Sequence, residues 1–263
     1  MTDYKILFLD IDGTILKPDD TIEDSTKRAI AEMKEQSIEV VLATGRPIHE
    51  ISDIGIELDI SSFIGYNGAL AIYEGETIFA EPMNRRDVKY ILDVAKENGH
   101  EVVMYTSSKN YLTVLDSDLM KGFLHQFHLR KNELFTQDVI DDILGMTIIT
   151  SGELGEEFYD FSDGIHLSQV NITGMQHCFD VIRDKVNKGV GVKFLLERLE
   201  IPREGSIAFG DGMNDKEMLS AVGEGFAMGN GHPDLFQHAK HKTTEVTNSG
   251  VFNGLKTLGL IRE

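Results

Sequence analysis

Apolar residues fall along this chain in two rhythms. Short, nearly solid runs at residues 6–9, 38–43, 63–66, 206–209 and 225–228 alternate with stretches whose apolar positions recur every three or four residues. A short solid run reads as a strand covered on both faces, the habit of parallel sheets. The three-and-four spacing over 25–36 predicts a helix with Ala29, Ile30 and Met33 inward and Asp24 as its cap. Strand, helix and strand joined by short turns form a βαβ unit, so the runs starting at Ile6 and Ile38 are expected to be parallel neighbours. Residues 190–199 predict a further helix, with Val192, Leu195, Leu196 and Leu199 on its apolar face and Pro202 beyond its end. Residues 251–258 predict the last one. Residues 71–80, with Glu74-Gly75-Glu76 in their middle, read as a hairpin hanging off the sheet.

The middle third changes character. Asn84 is placed to cap a helix over 85–97, with Val88, Ile91, Leu92 and Ala95 on one side. Strand-like runs follow at 101–105, 111–115, 146–150, 164–169 and 178–182, among mixed polar segments. This mixture predicts a compact α+β module. The expected fold class is therefore α/β: a doubly wound, Rossmann-like parallel-sheet core made of residues 1–83 and 187–263, interrupted by an inserted α+β domain over 84–186.

A chain of 263 residues is long enough for one large or two modest cores. Lys and Arg number 25 against 44 Asp and Glu, a net charge of −19. So acidic a surface disfavours nucleic acid and anionic membrane as partners, since both need a basic footprint. Any anionic substrate must instead be drawn in by local cations or a metal. Cys178 is the single cysteine, so no intramolecular disulfide forms, which suits a reducing compartment. The first residues lack a signal-peptide pattern, and no apolar run approaches the roughly eighteen residues of a membrane helix. A soluble cytoplasmic protein is expected. His125, His128, His166 and His177 match no metal spacing, and Phe123, Phe127, Phe135, Phe158 and Phe161 read as core.

Chemistry gathers where the strands end. The first run passes straight into Asp10-Ile11-Asp12-Gly13-Thr14. Two carboxylates at the end of an apolar strand are costly unless compensated, and a divalent cation is the usual partner. A lone Asp-x-Asp-Gly is often only a turn. It also overlaps the start of an EF-hand loop, although Thr14 and Ile15 stand where that loop needs an Asp or Asn and then a glycine. Thr44, after the second run, is either a helix cap or a hydroxyl for phosphate. Arg46 lies beside it, either touching substrate or paired with a nearby acid. Lys188 opens a helix just after the insertion. The run at 206–209 ends in Gly210-Asp211-Gly212-Met213-Asn214-Asp215, where Asp215 is also readable as an acid favoured by a helix dipole.

Asp10-x-Asp12-Gly13-Thr14, Thr44-Gly45-Arg46, Lys188-Gly189 and Gly210-Asp211-Gly212-x-Asn214-Asp215, in this order, resemble the haloacid dehalogenase-like superfamily of phosphohydrolases. The large insertion between the second and third motifs resembles that of its Cof-type branch. Asn67-Gly68-Ala69 and Met228-Gly229-Asn230 add to the likeness, which spans essentially the whole chain. The resemblance implies Asp10 as the nucleophile that becomes an aspartyl phosphate, and Asp12 as the acid and then base. It implies Mg²⁺ held by Asp10, the Asp12 backbone carbonyl and Asp211, with Asp215 bound directly or acting through a ligand. Thr44, the Gly45 and Ile11 amides, Lys188 and Asn214 would grip the phosphoryl oxygens. The expected activity is hydrolysis of a small phosphate monoester, a sugar phosphate or phosphorylated cofactor, beneath a closing cap. A phosphotransferase or phosphomutase using the same phosphoaspartate, and a non-catalytic metal-binding regulator, are the alternatives.

Overall fold

The computed structural model describes residues 3–152, 158–161, 163–170 and 172–261. Within them the chain forms two compact units, one of residues up to 46, 52–79 and 187 onward, the other of 47–51 and 80–186. Among the described residues no helix is long and apolar enough to cross a membrane.

In the first unit, strands β1 (Ile6–Leu9), β2 (Glu39–Ala43) and β3 (Ser62–Gly65) follow one another outward, with α1 (Asp24–Glu35) between the first two. β1 and β2 pair in parallel, as the βαβ rhythm predicts. All four residues of β1 are buried, because the strand is covered on both faces. α1 turns Ala29, Ile30 and Met33 inward, but its cap differs from expectation. Asp24 is the first helical residue and Glu23 precedes it, with a carboxylate that accepts from the Ser249 N–H at 2.9 Å. That carboxylate makes a tertiary contact and does not cap the first turn of α1.

β4 (Leu70–Tyr73) and β5 (Glu76–Ala80) form the expected hairpin, with Glu74 and Gly75 both at positive φ. The hairpin does not hang off the sheet: β4 pairs antiparallel with β3 and extends it. The chain rejoins this unit at α5 (Lys188–Arg198), two residues ahead of the predicted start, with the Asn187 side chain accepting from the Val190 N–H at 3.1 Å. β12 (Ser206–Gly210) pairs with β1, followed outward by β13 (Glu224–Ala227) and β14 (His241–Lys242). α6 (Lys216–Ala221) and α7 (Gly250–Thr257) complete the unit. The sheet order is β14-β13-β12-β1-β2-β3-β4-β5, so the chain winds one way from β1 and the other way from β12. The switch point between β1 and β12 is where open α/β sheets hold their ligands.

The second unit is built on a largely antiparallel sheet. Its strands are β6 (Glu101–Tyr105), β7 (Asn110–Leu112), β8 (Asn132–Leu134), β9 (Gly145–Ile149), β10 (Ile165–Gln169) and β11 (Cys178–Arg183), in the order β10-β11-β9-β6-β7-β8. Alternation along β6 sends Val102 and Met104 to a core with Val88, Ile91 and Ala95 of α3 (Arg85–Asn98), and Val103 to one with Met120 and Phe123 of α4 (Asp118–Gln126). Asn84 caps α3 as predicted, accepting from the Arg86 N–H at 2.8 Å. Residues 47–51 and 80–83, grouped by sequence with the first segment, pack in this unit. Met83 donates its N–H to the Ile143 carbonyl, and the buried Glu50 carboxylate accepts from the Asn110 side chain at 2.7 Å and from the Arg130 and Lys131 N–H groups. Of the aromatics read as core, Phe123 is buried and Phe127, Phe135, Phe158 and Phe161 pack partly buried against the two cores.

Candidate active site

Asp10 directly follows strand β1, and its side chain is almost fully buried. Beyond it the Ile11 carbonyl accepts from the N–H groups of Thr14, Ile15 and Leu16, closing a tight turn. Gly13 holds φ +78° there, and a Cβ on it would stand 2.3 Å from Asp211 Oδ2. Only glycine lets this loop lie against the end of β12. Thr14 Oγ1 donates to Asp211 Oδ1 at 3.3 Å, and Asn230 Nδ2 donates to the Gly13 carbonyl at 2.8 Å.

Lys188 is fully buried and donates to Asp10 Oδ1 at 2.5 Å and to Asp215 Oδ1 at 2.6 Å. The other oxygen of Asp215 accepts the Asp211 and Gly212 N–H groups, both at 3.0 Å. Asp215 thus ties the lysine on one side to the β12 turn on the other. Asp10, Asp211 and Asp215 bring one carboxylate oxygen each to within 4.8 Å of one another.

The electrostatics of this group are unbalanced. Burial, then the Asp215 charge, push the Asp10 carboxyl well above its ordinary range, against the pull of Lys188. Burial and Asp215 likewise push Asp211 up to about 6. Burial alone would lower Lys188, but the charges of Asp10 and Asp215 hold it above the ordinary lysine range. Three acids share one ammonium, and a hard cation with oxygen ligands would offset the remainder. The donor set therefore fits a divalent metal.

Asp12 lies outside that group. Its exposed carboxylate accepts from Arg46 Nε at 2.8 Å and from Arg46 Nη2, a two-pronged pairing. Arg46 is thus paired with an acid of the first motif. Thr44 caps no helix; its hydroxyl accepts the Arg46 N–H at 3.0 Å. Asn214 Nδ2 donates to Asn67 Oδ1 at 3.0 Å. The sequence marks Asn67 and Asn230 only as parts of two short motifs, because a short polar triplet does not reveal its distant partners.

Carboxylates and a threonine at adjoining ends of parallel strands, with a buried lysine at the start of α5, are what the first four motifs imply. The model of the haloacid dehalogenase-like hydrolase family matches residues 7–255. The chain belongs to this family. YkrA of Bacillus subtilis, provisionally named a phosphatase, is 31% identical over 99% of this chain and 100% of its own length. The 5-amino-6-(5-phospho-D-ribitylamino)uracil phosphatase YitU of Bacillus subtilis is 27% identical over 95% of this chain and 96% of its own. A solved structure of a hypothetical protein from Geobacillus kaustophilus HTA426 has a TM-score of 0.90 at 29% identity, covering 98% of this chain and 100% of that one. This haloacid dehalogenase-like hydrolase is accordingly an enzyme of the phosphatase kind.

Proposed function

We propose that this enzyme is a Mg²⁺-dependent phosphatase that hydrolyses a small phosphate monoester through an aspartyl phosphate on Asp10. The observation that carries the reading is Asp10 itself: a buried carboxylate at the sheet's switch point, held by Lys188 and grouped with Asp211 and Asp215. Asp10, Asp211 and the Asp12 backbone carbonyl are the groups to hold Mg²⁺. Asp215, with both oxygens engaged, acts through its neighbours. Bound Mg²⁺ supplies positive charge that relieves the repulsion between a carboxylate and a phosphate dianion.

In the first step an Asp10 oxygen attacks phosphorus and the bond to the alcohol oxygen breaks, while Asp12 gives that oxygen a proton. In the second, Asp12 takes a proton from water as the water attacks phosphorus, and Asp10 leaves as a carboxylate with inorganic phosphate released. Lys188, the Thr44 hydroxyl, the Ile11 and Gly45 amides and Asn214 stabilise the equatorial oxygens, where the transition state spreads its charge. Arg46 fixes where the Asp12 carboxylate stands. The first unit is then the catalytic core and the second a cap that selects the substrate. A sugar phosphate or phosphorylated cofactor is the substrate class. YitU supports it, because the compound in its name carries phosphate on a ribityl chain.

The test is phosphate release from a panel of phosphorylated metabolites, with Mg²⁺ or EDTA, for the wild type and Asp10→Asn. Release is expected to require Mg²⁺ and to fall by about a thousandfold or more in the variant. Turnover that survives Asp10→Asn refutes the covalent route. A folded, Mg²⁺-binding protein that releases phosphate from nothing refutes the phosphatase reading.

A further inference from the structure

Three consecutive residues after β3 run at positive φ: Tyr66 at +53°, Asn67 at +52° and Gly68 at +101°. Only the last is glycine. A bulky tyrosine in the left-handed region is an outlier, and such strain persists only where the surroundings impose it. Each residue of this tripeptide meets a different part of the site. Tyr66 directs its N–H at the Arg46 carbonyl at 3.5 Å, and Asn67 donates its N–H to the Thr44 carbonyl at 3.1 Å. A Cβ on Gly68 would stand 2.1 Å from the Asn187 carbonyl oxygen, directly before Lys188.

The bond to the Thr44 carbonyl has a geometric consequence. In a trans peptide the carbonyl and the following N–H point in opposite directions. Holding the Thr44 oxygen on Asn67 therefore aims the Gly45 N–H away from Asn67. The Asn67 side chain reaches the same loop, since a Cβ on Gly45 would meet its Oδ1 at 3.0 Å and its Nδ2 at 3.2 Å. That Oδ1 also accepts from Asn214 Nδ2, which fixes the plane of the Asn214 amide.

We infer that Asn67 is a positioning residue for phosphate binding: its backbone sets the Gly45 amide and its side chain sets Asn214. Asparagine suits both tasks, because it tolerates the left-handed conformation that the turn demands and carries an amide oxygen at the right height. Gly68 lets the turn close against the start of α5. The inference rests on the proposed role of Gly45 and Asn214 as phosphate ligands.

The test compares Asn67→Gly, Asn67→Ala, Asn214→Ala and the Asn67→Gly/Asn214→Ala double variant. The readouts are the inhibition constant for inorganic phosphate, the KM for p-nitrophenyl phosphate, the Mg²⁺ concentration for half activation and the melting temperature. Glycine also adopts the left-handed conformation, so Asn67→Gly removes the amide while keeping the turn and is expected to melt within a few degrees of the wild type. Its phosphate inhibition constant and KM are expected to rise about three- to tenfold, the worth of one hydrogen bond, with half activation by Mg²⁺ unchanged. Asn67→Ala loses the amide and adds strain, since alanine lacks asparagine's tolerance of the left-handed region, so it is expected to show the same phosphate defect with a lower melting temperature. Because Asn67 acts through Asn214, the double variant is expected to lose less than the product of the single losses. Wild-type phosphate inhibition in both Asn67 variants, or strict multiplication of the losses, overturns the inference. If Asn214→Ala itself binds phosphate as the wild type does, the underlying assignment of Asn214 falls instead.

Discussion

Asp211 shows most directly how single residues tie stability to chemistry. Its carboxyl is held up to about 6 in the folded chain, against roughly 3.9 when unfolded. Between those values the metal-free folded state binds more protons than the unfolded one. Its contribution to stability is therefore neutral below about pH 4 and turns unfavourable as pH rises towards 6. A divalent cation needs the ionised carboxylate, so the increase in melting temperature on adding Mg²⁺ is expected to be small at pH 5 and to grow through pH 6. Melting curves from pH 4.5 to 7.5, in EDTA and in Mg²⁺, check this; an increment independent of pH contradicts it. Gly13 sits against the same carboxylate. Gly13→Ala would place a methyl group 2.3 Å from Asp211 Oδ2 at a φ of +78°. The change is expected to cost about 1–3 kcal/mol of stability and to raise the Mg²⁺ needed for half activation. Denaturation and Mg²⁺ titration read the two effects separately. Asp10 and Asp12 stood out in the sequence because charge directly at the end of an apolar run is conspicuous, and Lys188 because it opens an apolar-faced helix just after the insertion. A pairing of Arg46 with a nearby acid was readable, but not that the acid is Asp12, since 34 positions separate the partners.

At the scale of elements, legibility followed length and contrast. The apolar runs that became β1, β2 and β12 and the periodic stretch that became α3 were readable, because burial imposes a period on them. α4, β8 and β14 leave no such mark in the sequence: α4 mixes its polarity and the two strands are three and two residues long. α2 (Ser52–Leu58), a seven-residue helix exposing Ile56, is equally faint in the sequence. The turn at Ile48–Glu50 is the plainest case of tertiary control. Glu50 is buried there because two backbone N–H groups and the Asn110 amide converge on its carboxylate. Glu50→Ala would strand those donors, and a loss of about 2–3 kcal/mol is expected in urea unfolding. Asn84→Ala, which removes only the cap of α3, is expected to cost about 1 kcal/mol by the same measurement.

Over the whole molecule, the net charge of −19 opposes approach of an anionic substrate. Raising ionic strength from about 10 to 150 mM at fixed free Mg²⁺ shrinks the Debye length from about 30 to 8 Å. The kcat/KM for a phosphate monoester is therefore expected to rise, about two- to threefold, through weaker repulsion. Steady-state kinetics across that salt range measure it, and a fall would mean that local cations govern the encounter. The sequence by itself determined the α/β class, the order of the motifs and the identity of the charged residues at the strand ends. These are local: an apolar run, its period and the residue that follows it lie together in the chain. Tertiary structure alone decided that Asp12 pairs with Arg46, that Asp215 spends both oxygens on neighbours, and that residues 47–51 pack in the second unit. It alone placed Asn67 between Thr44 and Asn214. Each depends on partners brought together by sheet order and strand register, and no local pattern of residues encodes distance.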